Sequence, residues 1–381
     1  MVILRGFWAL MLIGLFATMS FPAGLTDSLK PGKADLKSAG AMAFGPEGIL
    51  FVGDSVGAAL YAIDTQDRAA SQSAPIDIKG INEKIAAMLG TTQDQIIIND
   101  LAVNPISKKM YLSVSRGKGP TAAPVILRVD TKGKIEQVSM DNVNHSKVML
   151  ADAPASKEGA FNPILVTGGN PRLDAISDLA YVDGKVLVAG LSNEEFASAL
   201  RTFPFPFQQV AKASSVEIWH GSHGKFETQA PIHTFVPYKI KGEQYILASY
   251  TCTPLVKIPV SALKPGTKVK GTTIAELGSG SRPLDMISYS KDGHDYFLMS
   301  NSNRGVMKIA VDNLDNYKPI TTPTDIAGVP FETIQELGGV ARYPNAAPLG
   351  VDQLDKVDEK TAVVLMHTSP GSMELKTIAL P

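Results

Sequence analysis

The feature that most constrains the fold is a repeated unit of short apolar strands. The clearest copies are Ile98-Asn-Asp-Leu-Ala-Val103 with Lys109-Met-Tyr-Leu-Ser113, and Ile176-Ser-Asp-Leu-Ala-Tyr181 with Lys185-Val-Leu-Val-Ala189. Each copy places an Asp before Leu-Ala, followed by a turn, a Lys and a second strand. Weaker copies begin at Gly40, His233, Leu284 and Leu349. The chain therefore contains six units, and self-similarity at this spacing is typical of repeat architectures.

Turn-forming pairs separate the strands within the units, at Gly45-Pro46, Asp183-Gly184, Lys241-Gly242 and Asp292-Gly293. They predict antiparallel hairpins. The second strands are nearly continuous apolar runs, which is typical of a sheet covered on both faces. Every blade of a β-propeller is covered in this way by its two neighbours. We therefore predict an all-β fold, a six-bladed β-propeller of four-stranded blades. The alternatives are a seven-bladed propeller and a large β-sandwich.

Two segments interrupt the β pattern and predict short helical insertions. Residues 82–89 form the first and end at Gly90. Residues 193–201 form the second, which follows Ser192 as N-cap and carries two glutamates in its first turn, where the helix dipole favours acidic side chains. No linker composition divides the chain, so residues 25–381 are expected to form a single propeller domain.

The N-terminus has the pattern of a secretory signal peptide. Arg5 precedes an uncharged run from Gly6 to Ala23 that is rich in large apolar residues. This pattern predicts a signal peptide over residues 1–24 and a periplasmic or secreted protein. An uncleaved anchor is the alternative, because the run is only slightly shorter than the ~20 residues that span a bilayer. No later stretch is apolar enough to predict a membrane span.

The charge balance argues against nucleic acid as a partner. The chain has 36 Lys and Arg against 37 Asp and Glu, whereas non-specific nucleic-acid affinity comes from clustered basic residues that release counterions. The single cysteine, Cys252, cannot form an internal disulfide. The fold must therefore be held together by packing.

Polar residues are expected to converge at one mouth of the propeller channel. The start of the innermost strand and the loop between the second and third strands emerge on the same face of every blade. The strand starts contribute Asn99, Asp100, Ser177, Asp178, His233, Arg282 and Asp285. The loops contribute Asp54, Ser55, Asn193, Glu194, Tyr250, Cys252, Asn301, Asn303, Arg304 and His367. This face is therefore the predicted location of a functional site.

Three features of the sequence resemble a known family. They are the six units, the strand start Asn99-Asp100-Leu-Ala-Val-Asn-Pro105, and second strands of the type Gly-Lys-Val-Leu-Val-Ala. From about residue 38 to the C-terminus, the chain resembles the senescence-marker/gluconolactonase and paraoxonase-like (NHL-like) six-bladed propellers. The resemblance implies a divalent cation, often calcium, that is held on the channel axis by Asn, Asp and Glu and polarises an ester or lactone carbonyl. The glutamate that such enzymes usually carry at the start of the first blade is replaced here by Gly40-Ala41-Met42.

Three carboxylates at equivalent strand starts would repel one another in a narrow channel unless a cation or arginines lay among them. Oxygen-rich sites of this kind suit calcium. The predicted metal ligands are Asn99, Asp100, Asp178, Asp285 and Asn301, with Asp178 or His367 as the catalytic base. Arg282 and Arg304 would neutralise the acids or bind an anionic substrate. The structural alternative is that each Asp caps a turn by accepting backbone N–H bonds.

Aromatic residues follow the second predicted helix, at Phe203, Phe205 and Phe207. They are expected either to form a lid that gives the substrate an apolar wall or to pack on their own blade. Ser55 lies in the string Gly53-Asp-Ser-Val-Gly57, but a strand follows it where a nucleophile elbow needs a helix. We therefore interpret Ser55 as a loop serine.

A minor alternative to the calcium site is a site for a softer metal that uses cysteine and histidine ligands. Cys252 could bind copper together with His233, His367 or a methionine, or it could be a buried small apolar residue. His220 and His223 lie in Trp219-His-Gly-Ser-His-Gly224, which is predicted to be a hairpin tip on the opposite face.

Two functions remain open from the sequence. The first is an exported, calcium-dependent hydrolase of lactones or similar esters, with a small-molecule substrate at the channel mouth. The second is a non-catalytic propeller that acts as a ligand-binding module or as the partner subunit of another exported protein, because unrelated functions are grafted onto this fold.

Overall fold

The computed structural model describes residues 24–157, 159, 165, 169–208, 212–252, 254–278, 280–302, 304–312, 314–324, 340–342, 350–369 and 371–381. Their strands form six sheets, which are the blades of a β-propeller. Residues 1–23 of the predicted signal peptide lie outside the described residues, and so does Asn303. Among the described helices, none is long and apolar enough to cross a membrane.

The strands of the first half, in chain order, are β1 (Lys30–Gly32), β2 (Met42–Phe44), β3 (Ile49–Asp54), β4 (Ala59–Asp64), β5 (Asp77–Lys79), β6 (Ile96–Val103), β7 (Met110–Arg116), β8 (Ala123–Val129), β9 (Ile135–Val138), β10 (Val143–Met149), β11 (Asp178–Val182), β12 (Lys185–Leu191) and β13 (Ser198–Pro204). The strands of the second half are β14 (Ser214–His220), β15 (Lys225–Glu227), β16 (Thr234–Ile240), β17 (Glu243–Ser249), β18 (Pro254–Pro259), β19 (Lys268–Lys270), β20 (Thr272–Glu276), β21 (Pro283–Lys291), β22 (His294–Asn301), β23 (Gly305–Ala310), β24 (Val340–Arg342), β25 (Val351–Lys356), β26 (Thr361–Ser369) and β27 (Ser372–Ala379). Within the described ranges there is one α-helix, α1, which spans Ile81–Leu89.

We number the blades in their order around the ring. Blade 1 contains β6 to β9, and blade 2 contains β2 to β4 with β10 and β1 at its edge. Blade 3 contains β11 to β15 with β19, and blade 4 contains β16, β17, β18 and β20. Blade 5 contains β21 to β24, and blade 6 contains β25 to β27 with β5. The innermost strands β6, β2, β11, β16, β21 and β25 contact one another in this order and close the ring.

The chain does not visit the blades in ring order. After β1, which lies at the outer edge of blade 2, it forms the three inner strands of that blade, adds β5 to the edge of blade 6 and builds blade 1. It then returns through β10 to the edge of blade 2 and continues through blades 3 to 6. The ring closes where β5 pairs with β27, with Ile78 opposite Leu375. The N-terminal part of the chain therefore joins blades 6, 1 and 2.

The core is divided among the interfaces between blades. The described residues form six apolar clusters, and each cluster joins two neighbouring blades. Alternate residues of one strand supply both neighbours: Ile49 and Phe51 pack toward blade 3, and Leu50 and Val52 pack toward blade 1. Because both faces of each inner sheet are covered, alternation of apolar and polar residues is lost. The continuous apolar strands, and the six-bladed prediction that rests on them, are confirmed.

Three of the predicted turns have the backbone that a two-residue hairpin needs. Both residues of Asp183-Gly184, Lys241-Gly242 and Asp292-Gly293 have positive φ angles, between 46° and 83°. This geometry matches the twist of the flanking strands, and glycine adopts it without strain. The pairs connect the first and second strands of blades 3, 4 and 5.

One helix prediction is confirmed and the other is wrong. Helix α1 covers the first predicted segment, ends at Gly90 in the left-handed conformation (φ 65°), and buries Ile81 and Ile85 between blades 6 and 1. The segment 193–201 is not helical, because Ser198–Pro204 forms β13, the third strand of blade 3. Pairing with β12 along its whole length outweighs the local helix signals.

Candidate functional site

Four aspartates on the innermost strands tie neighbouring blades together. One oxygen of each carboxylate accepts the N–H of the following residue. The other oxygen accepts an N–H from the next blade, in the pairs Asp100 with Met42 (2.5 Å), Asp178 with Phe235 (2.7 Å), Asp285 with Leu354 (2.8 Å) and Asp355 with Val103 (2.6 Å). The carboxylates thus accept backbone N–H bonds, as the structural alternative predicts, and half of these bonds cross between blades.

The predicted strand-start residues enclose one polar cavity of about 50 Å³ in the channel. Its lining comprises Ala41, Asn99, Asp100, Ser177, Asp178, His233, Thr234, Leu284, Asp285 and Gln353. The ring therefore brings together six of the seven predicted strand-start residues. A cavity of this volume has room for an ion or a few water molecules.

Gln353 was not predicted from the sequence, and it contacts two of the acids. Its amide lies 2.9 Å from Asp100 Oδ1 and 3.0 Å from Asp285 Oδ2. With its nitrogen toward them, the amide donates a hydrogen bond to each carboxylate. With its oxygen toward them, the nitrogen donates to the Asn99 carbonyl at 3.4 Å, and three side-chain oxygens converge. The second arrangement is suited to a hard cation.

The enclosed channel raises the pKa of every one of these carboxyl groups. Desolvation raises the pKa of Asp178 to about 7 and that of Asp355 to about 6. It also raises the pKa of Asp100 and Asp285 well above the usual range, and the neighbouring carboxylates add to the shift. His233 carries no compensating charge at neutral pH, because burial and then Arg282 lower its pKa to about 4.

The remaining predicted polar residues lie outside the cavity lining. Asn301 supports its own loop, where its Oδ1 accepts the Arg304 N–H at 3.1 Å. The Arg304 guanidinium packs against Gly278. Arg282 lies close enough to His233 to affect its pKa. His367 Nε2 pairs with Asp352 at 2.8 Å. Arg282 is therefore the one of these residues that the structure links to the cavity.

The three phenylalanines pack against the neighbouring blade. Phe203 and Phe205 are buried in the apolar cluster between blades 2 and 3. The rings of Phe205 and Phe51 are 5.0 Å apart in an edge-to-face contact, and Phe207 packs edge-on against Phe205 at 5.2 Å. The lid prediction is wrong, because these rings are part of the blade interface. Ser55 bridges the same two blades through both backbone groups of Ile176, which agrees with its interpretation as a loop serine.

The turn that carries His220 and His223 lies beside Cys252, so its predicted position on the opposite face is wrong. The turn follows β14, the fourth strand of blade 3. Because strands alternate in direction, a fourth strand ends on the same face as the loop between the second and third strands. That loop in blade 4 contains Cys252, and its Sγ lies 3.8 Å from His223 Nε2. The thiol of Cys252 therefore faces His223, whereas Nε2 of the predicted His233 lies 2.9 Å from Oγ1 of the preceding Thr251.

A glutamate holds both histidines. Glu227 accepts from Nδ1 of His220 at 2.8 Å and from Nδ1 of His223 at 2.7 Å. Burial opposes protonation of His220, but its interactions with Cys252 and Glu227 outweigh this effect and raise its pKa to about 9. The interaction with His220 lowers the pKa of the Cys252 thiol to about 7.

Among the described residues, one group of three His, Cys, Asp or Glu side chains places a potential metal-ligand atom from each residue within 4.8 Å of the other two. It consists of His220, His223 and Cys252. The channel carboxylates are not such a group, so an ion bound there would need amide oxygens as well.

No protein-family model and no curated protein matches the sequence. Solved structures similar to the chain include a putative oxidoreductase (glucose dehydrogenase) from Thermus thermophilus, at 11% identity and a TM-score of 0.35, covering 92% of this chain and 100% of that one. The PQQ-bound aldose sugar dehydrogenase from Streptomyces coelicolor has 11% identity and a TM-score of 0.33, covering 92% and 97%. Hydrazine synthase from Kuenenia stuttgartiensis has 13% identity and a TM-score of 0.34, covering 91% and 97%.

Proposed function

We propose that this propeller is an exported hydrolase of lactones or similar esters, in which the channel carboxylates bind a divalent cation of the calcium type. The observation that carries the proposal is an imbalance of charge. Asp100, Asp178 and Asp285 line one small cavity, and the described residues of its lining include no Lys or Arg. These carboxylates are part-buried and lie close together without a basic partner in that lining, and protons or a bound cation would relieve their repulsion. Export is inferred from the N-terminal apolar segment alone.

The donors of the cavity suit a hard cation. Carboxylate and amide oxygens are the ligands that calcium prefers, and each carboxylate oxygen keeps a lone pair beside the one that accepts a backbone N–H. Gln353 and Asn99 supply amide oxygens next to the acids. When bound, such a cation would polarise the carbonyl of an ester.

The protein residues supply the proton transfer and the position of the substrate. In its ionised form, Asp178 can accept a proton from water. In this proposal the substrate lies at the outer opening of the cavity. Arg282, whose charge acts on His233, would attract an anionic substituent of the substrate.

A non-catalytic propeller that binds a ligand or another exported protein is the second candidate. The observation that favours it is that each of the four aspartates already accepts a backbone N–H bond from the next blade. In that case protons neutralise the channel acids, and neither calcium nor an ester is needed.

An Asp178→Asn variant is expected to lose about 100-fold or more in kcat/KM with lactone and aryl-ester substrates, because the variant lacks the proton acceptor. Asp355→Asn is the matched control, since Asp355 makes the same pair of backbone contacts but does not line the cavity. The measurement is steady-state hydrolysis in calcium-containing buffer. Equal activity of the two variants, or no hydrolysis by the wild type, would favour the non-catalytic candidate.

A further inference from the structure

Two histidines and the single cysteine meet between blades 3 and 4. His220 ends β14, His223 lies in the turn that follows, and Cys252 lies in the loop between β17 and β18. The imidazole rings are 4.0 Å apart at their centres. None of the three residues lines the channel cavity. The group is thus separate from the site of the proposed function.

Both histidines have one nitrogen fixed and the other directed into the cluster. Glu227 occupies both Nδ1 atoms. His220 is 1% exposed, and its Nε2 has no hydrogen-bond partner in the part of the chain that the structure describes. A carboxylate on Nδ1 is the usual outer support of a metal-binding histidine, because it orients the ring and makes Nε2 a better donor.

The spacing matches that of ligands on one metal ion. A nitrogen at about 2.1 Å and a sulfur at about 2.3 Å from a tetrahedral ion lie about 3.5 Å apart. His223 Nε2 and Cys252 Sγ are 3.8 Å apart, and all three ligand atoms lie within 4.8 Å of one another. Small side-chain movements are therefore enough for binding.

The loop of Cys252 is held in place by its surroundings. The Cys252 N–H donates to the Ser281 carbonyl at 2.8 Å, and the Gly280 N–H donates to Sγ at 3.4 Å. The backbone of Cys252 is in the left-handed region, with a φ of 62°. A non-glycine residue there is strained, and such strain is found at sites that position a functional side chain.

We propose that His220, His223 and Cys252 bind one transition-metal ion of the copper or zinc type, with a fourth position open to solvent. Imidazole and thiolate are the ligands that these ions prefer over calcium or magnesium. The side chain of His223 is 35% exposed, which leaves a path for the ion. Glu276, whose Oε2 lies 3.9 Å from His220 Nε2, borders the same site. Binding releases the thiol proton to solvent.

The test uses the chain without a histidine tag, stripped with a chelator and then offered zinc, copper or cobalt in separate arms. We expect one equivalent per chain in the zinc or copper arm, measured by elemental analysis after dialysis. The cobalt arm is expected to show thiolate-to-metal charge-transfer absorption, which reports ligation by Cys252.

Single-residue variants distinguish a loss of metal binding from a failure of the propeller to fold. Cys252→Ser and His223→Ala are expected to lower metal affinity roughly 100-fold or more, and Glu227→Gln roughly 10- to 100-fold. His294→Gln is the matched control, because His294 also pairs its Nδ1 with a carboxylate, Asp312, at 2.9 Å but lies on blade 5. Thermal unfolding of each variant, followed by circular dichroism, verifies that the propeller forms.

Metal retained by the folded Cys252→Ser variant at wild-type affinity would overturn the inference, and so would failure of the wild type to bind either ion. Either result leaves the hydrolysis test unaffected. Conversely, an inactive wild type that binds zinc or copper would refute the proposed function and keep this site.

Discussion

In a chelating buffer, the stability of the wild-type chain relative to an Asp178→Asn variant is expected to fall by roughly 3 to 4 kcal/mol between pH 4 and pH 8. The folded state raises the pKa of Asp178 from 3.8 to about 7. Between these values the unfolded chain loses its proton while the folded chain keeps it, so rising pH favours unfolding. Above about pH 8 the carboxyl is ionised in both states, and the difference becomes constant.

The comparison with the variant cancels the groups that do not interact with Asp178, whereas Asp100 and Asp285 lose the repulsion of that carboxylate in the variant and contribute to the difference. His233, whose folded pKa is lowered, makes stability rise with pH between about 4 and 6.5, and His220, whose folded pKa is raised, makes it fall above pH 6.5. Both effects are common to the two chains and cancel in the difference. Urea unfolding at each pH is the measurement. A difference independent of pH would show that Asp178 is ionised throughout.

An Asp152→Ala variant is expected to be destabilised by about 3 to 5 kcal/mol, because it leaves a buried guanidinium without its counter-ion. Arg201 is fully buried, and its Nε lies 2.7 Å from Asp152 Oδ1. The other oxygen of Asp152 accepts the Ala213 N–H at 2.7 Å. The remaining guanidinium nitrogens donate to the carbonyls of Ala175 and Leu191. Equilibrium unfolding in urea measures the loss.

Two further variants test whether the loss of stability comes from the unpaired charge of Arg201. A double variant, Asp152→Ala with Arg201→Met, is expected to recover a large part of the loss, because an apolar side chain replaces the unpaired charge. Glu359→Ala removes an exposed ion pair with Lys356 and is expected to change stability by about 0.5 kcal/mol or less. A loss below about 1 kcal/mol in Asp152→Ala would contradict the account of this pair.

The fold could be predicted because the apolar pattern that indicates it lies within each strand. Val186 to Ala189 is apolar on both faces, which a blade between two neighbours requires. The convergence of Asp100, Asp178 and Asp285 followed from their equivalent positions. The ring order could not be predicted, because only tertiary pairing shows that β5 completes blade 6 and that β10 completes blade 2.

The errors at the site have specific physical causes. The helix signals of Glu194 and Glu195 were outweighed by the pairing of β13. The face of the His220 turn depends on counting β14 as the fourth strand of blade 3. Asp355 repeats the pattern of an Asp that binds the next blade, but Lys356 follows it where an apolar residue follows each of the other three acids, so the sequence does not indicate the equivalence. Gln353 has no local signal and is identified only by its distance to two acids.

The central claim is that the channel acids bind a metal cation, and calcium titration at pH 7.5 after exhaustive chelation tests it most directly. We predict one calcium ion per wild-type chain by titration calorimetry, with a higher unfolding temperature in calcium than in chelator. Binding is expected to be lost in Asp100→Asn and kept in Asp355→Asn. The claim is contradicted if the wild type takes up no heat-detectable calcium and unfolds at the same temperature with and without the ion.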